Sequence, residues 1–179
     1  MGVREFVRTV RERVGPERIR PSHPPQAFTD DAGREIAVRA YHKEDRAQLV
    51  EMYDDFAPEQ RAQGVPPLSE PAIREWLDTI LDGPDVVACH GDRVVGHVSF
   101  VPDDTGRHEL AIFVHQEYQG AGIGTRLLSA GMGHAQAEGT EYVWLSVGKS
   151  ERKLQRLYSR AGFSVVNPMS ITHRMSRYL

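Results

Sequence analysis

The sequence predicts an α/β fold in which β-rich runs and amphipathic helices alternate. Two observations carry the prediction. From residue 35 onward, strand-like stretches such as REIAVRAY are followed by helix-like ones such as EDRAQLVEMYDDF, and the switch repeats along the chain. Within that alternation, HQEYQGAGIGTRLL (115–128) joins a strand to a helix through three glycines at every second position. A length of 179 residues suits one core better than two. Hydrophobic residues at 40% and charged residues at 26% are ordinary for a globular protein.

Taken in order, residues 1–20 carry six arginines and three glutamates, with Val3, Phe6, Val7, Val10 and Val14 at helical spacing, which predicts a short amphipathic helix. RPSHPPQ then breaks it, because three prolines in five residues favour extended chain. Three roles stay open for this arm (1–34): docking on its own domain, pairing two subunits into a homodimer, or touching an acidic partner. A domain over 35–179 follows. The helix in EDRAQLVEMYDDF puts Ala47, Val50 and Tyr53 on one stripe, and AIREWLDTIL is a second helix after a Pro/Gly-broken connection. DVVACHGDRVVGHVSFVPD reads as a hairpin around His90, Gly91 and Asp92. RHELAIFVH is a further strand, and in the helix after the glycines Ile123, Leu127, Leu128, Gly131 and Ala135 share an apolar stripe.

Composition narrows the function classes. A formal charge of −3 gives no general reason to expect nucleic acid or an anionic membrane as partner. A single cysteine, Cys89, excludes an internal disulfide and a Cys-rich metal cluster. No apolar run approaches the roughly 18 residues of a membrane span, and MGVREFVRTV lacks the apolar centre of a signal peptide. These features predict a soluble, cytoplasmic protein.

A glycine-rich loop between strand and helix suits a phosphate group, since successive backbone N–H groups and the helix N-terminus face it and no side chain blocks its approach. Each dipole contribution is worth only about 0.3–1 kcal/mol, so several amides must converge. A dinucleotide loop G-x-G-x-x-G fails here, because the third glycine position is Thr125 or Leu127. A phosphate loop ending in Gly148-Lys149-Ser150 fails because its first glycine would be Val143, inside a strand-like run.

The pattern that fits is Q-x-x-G-x-G: Gln119, Gly120, Ala121, Gly122, Ile123, Gly124. It resembles the acetyl-CoA loop of the GCN5-related N-acetyltransferase (GNAT) superfamily, over about residues 35–175. The likeness extends to the hairpin before the loop, to ELAIFV and EYVWLSV as the family's fourth and fifth strands, and to Leu157-Tyr158 and Gly162-Phe163 in LQRLYSRAGF. The resemblance implies a mixed, mostly antiparallel twisted sheet flanked by helices, with a parallel pair at the fourth and fifth strands forming the acetyl-CoA cleft. It implies cofactor contacts from Gln119 through Thr125 and from the strand backbone at Ile112, Phe113 and Val114, and no metal.

The implied activity is direct transfer of an acetyl group from acetyl-CoA to a primary amine. An amine near neutral pH is mostly ammonium and must lose a proton before it attacks a thioester. Glu109, ten residues before Gln119, matches the position at which some members, bacterial protein-lysine acetyltransferases among them, place their base. Alternation serves that role if Glu109 shares the face of Ala111 and Phe113. His97, His108 and His115 are alternative proton relays. Tyr158 resembles the family's tyrosine that assists the departing thiolate, and a backbone N–H near Val114 can hold the carbonyl oxygen. Two other readings stay open: a non-catalytic acyl-CoA-binding module, and transfer from a longer acyl-CoA.

The chain departs from the family in two places. Where many members carry Asn and then Ala after the fifth strand, this chain has Glu151 and Leu154, so the asparagine's role is not transferred, and Ser150 is a neighbouring substitute. Gly131 and Gly133 sit inside the loop helix at roughly 1 kcal/mol each in helix propensity, which predicts close packing or a distortion there. The acceptor amine, on a small molecule, a protein lysine or an N-terminus, would meet EMYDDF to GVPPLSEP. There Glu51, Asp54, Asp55 and Glu59 would favour a cation, or simply face water, beside an apolar wall of Tyr53 and Phe56.

Overall fold

Alternation of strand and helix yields an eight-stranded sheet with helices on both faces. The computed structural model describes residues 17–61, 65–167 and 171–179. The predicted arm helix, with Val3, Phe6, Val7, Val10 and Val14, lies outside the described residues. The strands are β1 (Gln26–Thr29), β2 (Glu35–Ala40), β3 (Asp85–His90), β4 (Arg93–Pro102), β5 (His108–Val114), β6 (Tyr142–Gly148), β7 (Ser164–Asn167) and β8 (Thr172–Tyr178). The helices are α1 (Arg46–Asp54), α2 (Glu70–Ile80), α3 (Ile123–Ala137) and α4 (Arg152–Arg160). Strand order is β1-β2-β3-β4-β5-β6-β8-β7, and every pairing is antiparallel except β5 with β6.

The parallel pair follows from connectivity. Parallel neighbours need a crossover of a dozen or more residues, and α3 supplies it. β5 and β6 pair only at His108–Val143 and Glu109–Trp144. β6 then stays with β8 from Tyr142 to Gly148, while β5 stays with β4 up to Val114. The two strands therefore part after Glu109, and a wedge opens between them.

One core layer packs the sheet against α3 and α4. Ile123, Leu127, Leu128, Ala130, Met132 and Ala135 of α3 meet Val86, Val98, Phe100 and Leu110 there, with Tyr158 of α4 and Ala161 just after it. Burying each leucine of this set is worth about 1.5–3 kcal/mol. The opposite layer joins α1 and α2 through Leu49, Val50, Tyr53, Ile73, Leu77 and Ile80 to Val87, Cys89 and Val94. Of the stripe predicted on α1, Val50 and Tyr53 are buried while Ala47 is exposed, its place in the core taken by Leu49; the stripe predicted on α3 is buried throughout. α2 begins at Glu70, ahead of AIREWLDTIL, because Pro71 is preset for the first turn.

The two helical glycines are packing sites. A Cβ on Gly131 would stand 2.6 Å from Val98 Cγ1 and 3.0 Å from Phe100 Cε2, so α3 could not sit this close to β4 with alanine there. At Gly133 the neighbour is the main chain of Ser22. Residues 17–22 lie along α3 and α4: Ile19 N–H donates to Arg160 O (2.9 Å), Ser22 N–H to Ser129 O (3.0 Å), and Arg160 Nε to Glu17 O (2.9 Å). Ile19 is buried in the α3/α4 layer. The sheet itself begins at Gln26, inside the stretch read as linker, where β1 pairs with β2 from Gln26–Val38 to Thr29–Glu35.

Candidate active site

The glycine loop stands at the mouth of the wedge. Gly120 (φ +76°) and Gly122 (φ +86°) occupy the left-handed region, which costs glycine nothing and a side-chain-bearing residue more. Gly122 is the N-cap of α3, so the first-turn N–H groups of Ile123, Gly124 and Thr125 have no acceptor within the helix. Gly124 is helical, and a Cβ there would make ordinary contact with Val114 Cγ2 at 3.8 Å. Ile123 and Ala121 bury their side chains, so they can offer a ligand only their backbone. Gln119 ties the loop to the strand, its Nε2 donating to Val114 O at 2.9 Å. The donor set and the open cradle fit a diphosphate. One group opposes it: Asp31, in the β1–β2 turn, holds a carboxylate oxygen 3.7 Å from where a Gly122 Cβ would be, and its N–H donates to Ala121 O.

Strand alternation sorts the three β5 positions. His115 N–H donates to Val95 O (2.9 Å), so the backbone groups of Phe113 point to β4 with it, and those of Ile112 and Val114 point to the wedge. The side chains divide the other way. Ile112 and Val114 pack with the α3/α4 layer. Phe113 enters the α1/α2 layer, edge-on to Tyr53 (5.4 Å) and Trp76 (5.6 Å) and near Phe56 (6.3 Å). Tyr53 and Phe56, expected from sequence as an apolar wall, are buried core residues packed with Trp76 and Phe113.

Glu109 and Tyr158 lie on opposite faces of the sheet. Glu109 shares the Phe113 face and is paired in register with Trp144. Glu109 is exposed, and partial desolvation of its carboxyl against the sheet raises it above the usual range, opposed by Arg174 and reinforced by Asp103. Tyr158 is buried in the α3/α4 layer, 6.0 Å from the Phe163 ring, and burial pushes its hydroxyl up to about 12.

The histidines separate by environment. His97 is fully buried, with Nδ1 2.6 Å from Tyr53 Oη and Nε2 2.8 Å from Asp85 Oδ1. His115 is buried against Asp55 Oδ2 (3.0 Å) and Gln116 Nε2 (3.1 Å). His108 keeps a buried Nδ1 without a partner, and burial lowers its pKa against the pull of Asp103. Of the acids on and after α1, Asp55 is engaged by His115 and Arg93, while Glu51, Asp54 and Glu59 are exposed. Cys89 is buried under α1 and α2, and burial raises its thiol, opposed by Arg39. Among the described residues no group of three or more His, Cys, Asp or Glu side chains could hold a metal, and no helix is long and apolar enough to cross a membrane.

Sequence reasoning missed the floor beside Glu109. Arg174 of β8 lies over the Trp144 ring, 3.8 Å from its centroid, and Trp144 Nε1 donates to Asp103 Oδ2 at 3.0 Å. Alternation in EYVWLSV held the signal for half of it: Tyr142, Trp144 and Ser146 share the face opposite buried Val143, Leu145 and Val147.

Comparison with known proteins agrees with this architecture. The model of the acetyltransferase (GNAT) family matches residues 47–163. A mycothiol acetyltransferase of Propionibacterium freudenreichii is 32% identical over 114 residues, 62% of this chain and 36% of that protein. An uncharacterised N-acetyltransferase of Mycobacterium bovis is 28% identical over 81 residues, 45% of this chain and 52% of that protein. The chain thus aligns with about half or less of these relatives' length. Among solved structures, the GNAT domain of S. lividans PAT superposes with a TM-score of 0.72 at 19% identity, covering 88% of this chain and all of that one. A Salmonella typhimurium acetyltransferase solved with its cofactor acetyl-CoA gives 0.67 at 21% identity, over 80% of this chain and 94% of that one.

Proposed function

The chain belongs to the acetyltransferase (GNAT) family, and from that premise we propose that it is an N-acetyltransferase moving an acetyl group from acetyl-CoA to a primary amine by direct, base-assisted attack. The observation that supports the reading is the wedge after Glu109, with the backbone of Ile112 and the N–H of Val114 turned to it, the Gln119–Thr125 loop at its mouth, and Glu109 and Tyr158 on opposite faces of the sheet beside it. Acetyl-CoA would supply the thioester. The loop amides would hold its diphosphate, and the Ile112 and Val114 backbone would align its arm.

Glu109 takes the proton that the ammonium must lose, and its raised pKa brings it nearer to that task at neutral pH. The amine nitrogen then bonds to the acetyl carbon, the carbon–sulfur bond breaks, and the electron pair leaves on sulfur. Tyr158 acts on that sulfur as a hydrogen-bond donor. With its hydroxyl at about 12 against about 8.5 for a thiol, full proton transfer from it would run about 5 kcal/mol uphill. The Val114 N–H, turned to the wedge, is the donor for the carbonyl oxygen. A thiol relay finds no support at Cys89, which is buried in the other layer.

The test is calorimetric titration with acetyl-CoA and with free CoA, comparing wild type with Gly122→Asp. Binding that the variant abolishes supports the loop assignment, since a carboxylate at φ +86° adds both strain and repulsion. No binding at millimolar cofactor overturns the reading. In an amine screen, Glu109→Gln and Tyr158→Phe must each lower turnover by more than about threefold, or their assignments are wrong. The expected losses are about 100-fold or more for the base and roughly tenfold for the donor.

A further inference from the structure

Among the described residues, the Phe113 face of the sheet is covered on one side only. α1 and α2 pack over β3, β4 and Phe113, whereas Ser146, Arg174 and Tyr178 on the same face beyond β5 are exposed. Glu109 stands at the boundary, so an acceptor approaching it lies on Trp144, Ser146 and Arg174.

The charges on this floor are split. Arg174 makes no ion pair among the described residues; its guanidinium carbon sits 3.8 Å from the centroid of the Trp144 ring, a contact that spends the face of the guanidinium and not its N–H edge. Trp144 is oriented in turn by Asp103. A second guanidinium, Arg107, stacks on Tyr142 at 4.8 Å and is likewise without an ion pair among the described residues. Asp103 is the other acid near Glu109, and it is occupied: it accepts from Thr105 N (2.9 Å), Thr105 Oγ1 (2.6 Å), Arg107 N (3.0 Å) and Trp144 Nε1 (3.0 Å). The floor therefore offers one carboxylate, Glu109, beside two cations that make no ion pair among the described residues, of which Arg174 is near enough to favour the ionised form of Glu109.

Resting on the acetyltransferase reading of this cleft, we propose that the acceptor is a small amine carrying its own carboxylate, of the amino-acid type, with the amine at Glu109 and the carboxylate on Arg174 above Trp144. A planar guanidinium fixed on an aromatic face suits bidentate capture of a carboxylate. A polyamine would set a second positive charge against Arg174 and Arg107, and a lysine side chain would leave Arg174 unused. Arg174 is thus a specificity-determining residue, and Trp144 the residue that positions it.

The test compares kcat/KM for a panel of amino acids with that for their decarboxylated amines. Wild type should favour the carboxylated member by roughly 10–100-fold, the range of a charge-assisted pair. Arg174→Gln should bring the ratio to within about threefold of one, and Arg174→Lys should keep part of it. Arg174 is exposed, so the substitution does not threaten the core, and the acetyl-CoA Kd reports that the variant is folded. A wild-type ratio near or below one, or a ratio that Arg174→Gln leaves in place, overturns the proposal. Acetyl-CoA binding without acetylation of either series also overturns it but leaves the cofactor reading standing. Failure to bind acetyl-CoA overturns both.

Discussion

A Cβ on Gly133 would fall on the backbone carbonyl of Ser22, so α3 and the incoming N-terminal segment meet main chain to main chain. The glycine conceded at that helical position allows Ser22 N–H to reach Ser129 O and Ile19 to enter the core. Gly133→Ala should therefore destabilise the protein by about 1–3 kcal/mol, even though alanine is about 1 kcal/mol the better helix former. Urea unfolding measures it; a rise in stability of about 1 kcal/mol would show that the segment does not dock there.

The buried chain Tyr53–His97–Asp85 makes a second prediction. With Tyr53 donating to Nδ1 and Nε2–H donating to Asp85 Oδ1, both ring nitrogens of His97 have a partner. Tyr53→Phe leaves Nδ1 orphaned in a dry core, at about 1–3 kcal/mol. In a double-mutant cycle with Asp85→Asn the two losses should couple by at least 0.5 kcal/mol. Additivity would mean that the residues contribute separately.

The helices and the cleft strands were legible because burial writes periodicity into sequence: Leu127, Leu128 and Ala135 recur at helical spacing and are buried. The loop was legible because Gly120 and Gly122 occupy backbone conformations that exclude most side chains. β8 was not, since THRMSRY buries one apolar side chain, Met175, and turns Arg174 and Tyr178 to the open face, so it shows no apolar alternation. β7 and β1 are four residues each and largely exposed, too short for a pattern. The Trp144–Arg174 floor escaped for a related reason: its partners are 30 positions apart and meet only through the β6/β8 register.

Asp31 gives a prediction of opposite sign to most substitutions at a binding loop. Its carboxylate lies beside Gly122, where a diphosphate would bring more negative charge. Asp31→Asn should tighten acetyl-CoA binding by about two- to fivefold at low salt, shrinking as ionic strength rises. Calorimetry at two salt concentrations tests it. Weaker binding in the variant would mean that Asp31 contacts the ligand as an acceptor.

Glu109 links pH to both activity and stability. Its carboxyl is raised in the folded protein, chiefly by partial desolvation. Between the ordinary glutamate value and the raised one, the folded state binds more protons than the unfolded state, so its contribution to stability falls as pH rises through that window. Glu109→Gln should remove this decline and leave the protein at least as stable as wild type near neutrality. Activity should move the other way. In wild type kcat/KM should fall with unit slope as pH drops below the raised pKa, and in Glu109→Gln that acid limb should vanish with the loss of rate. A variant that loses activity but keeps the same acid limb would assign the titration, and the base, to another group.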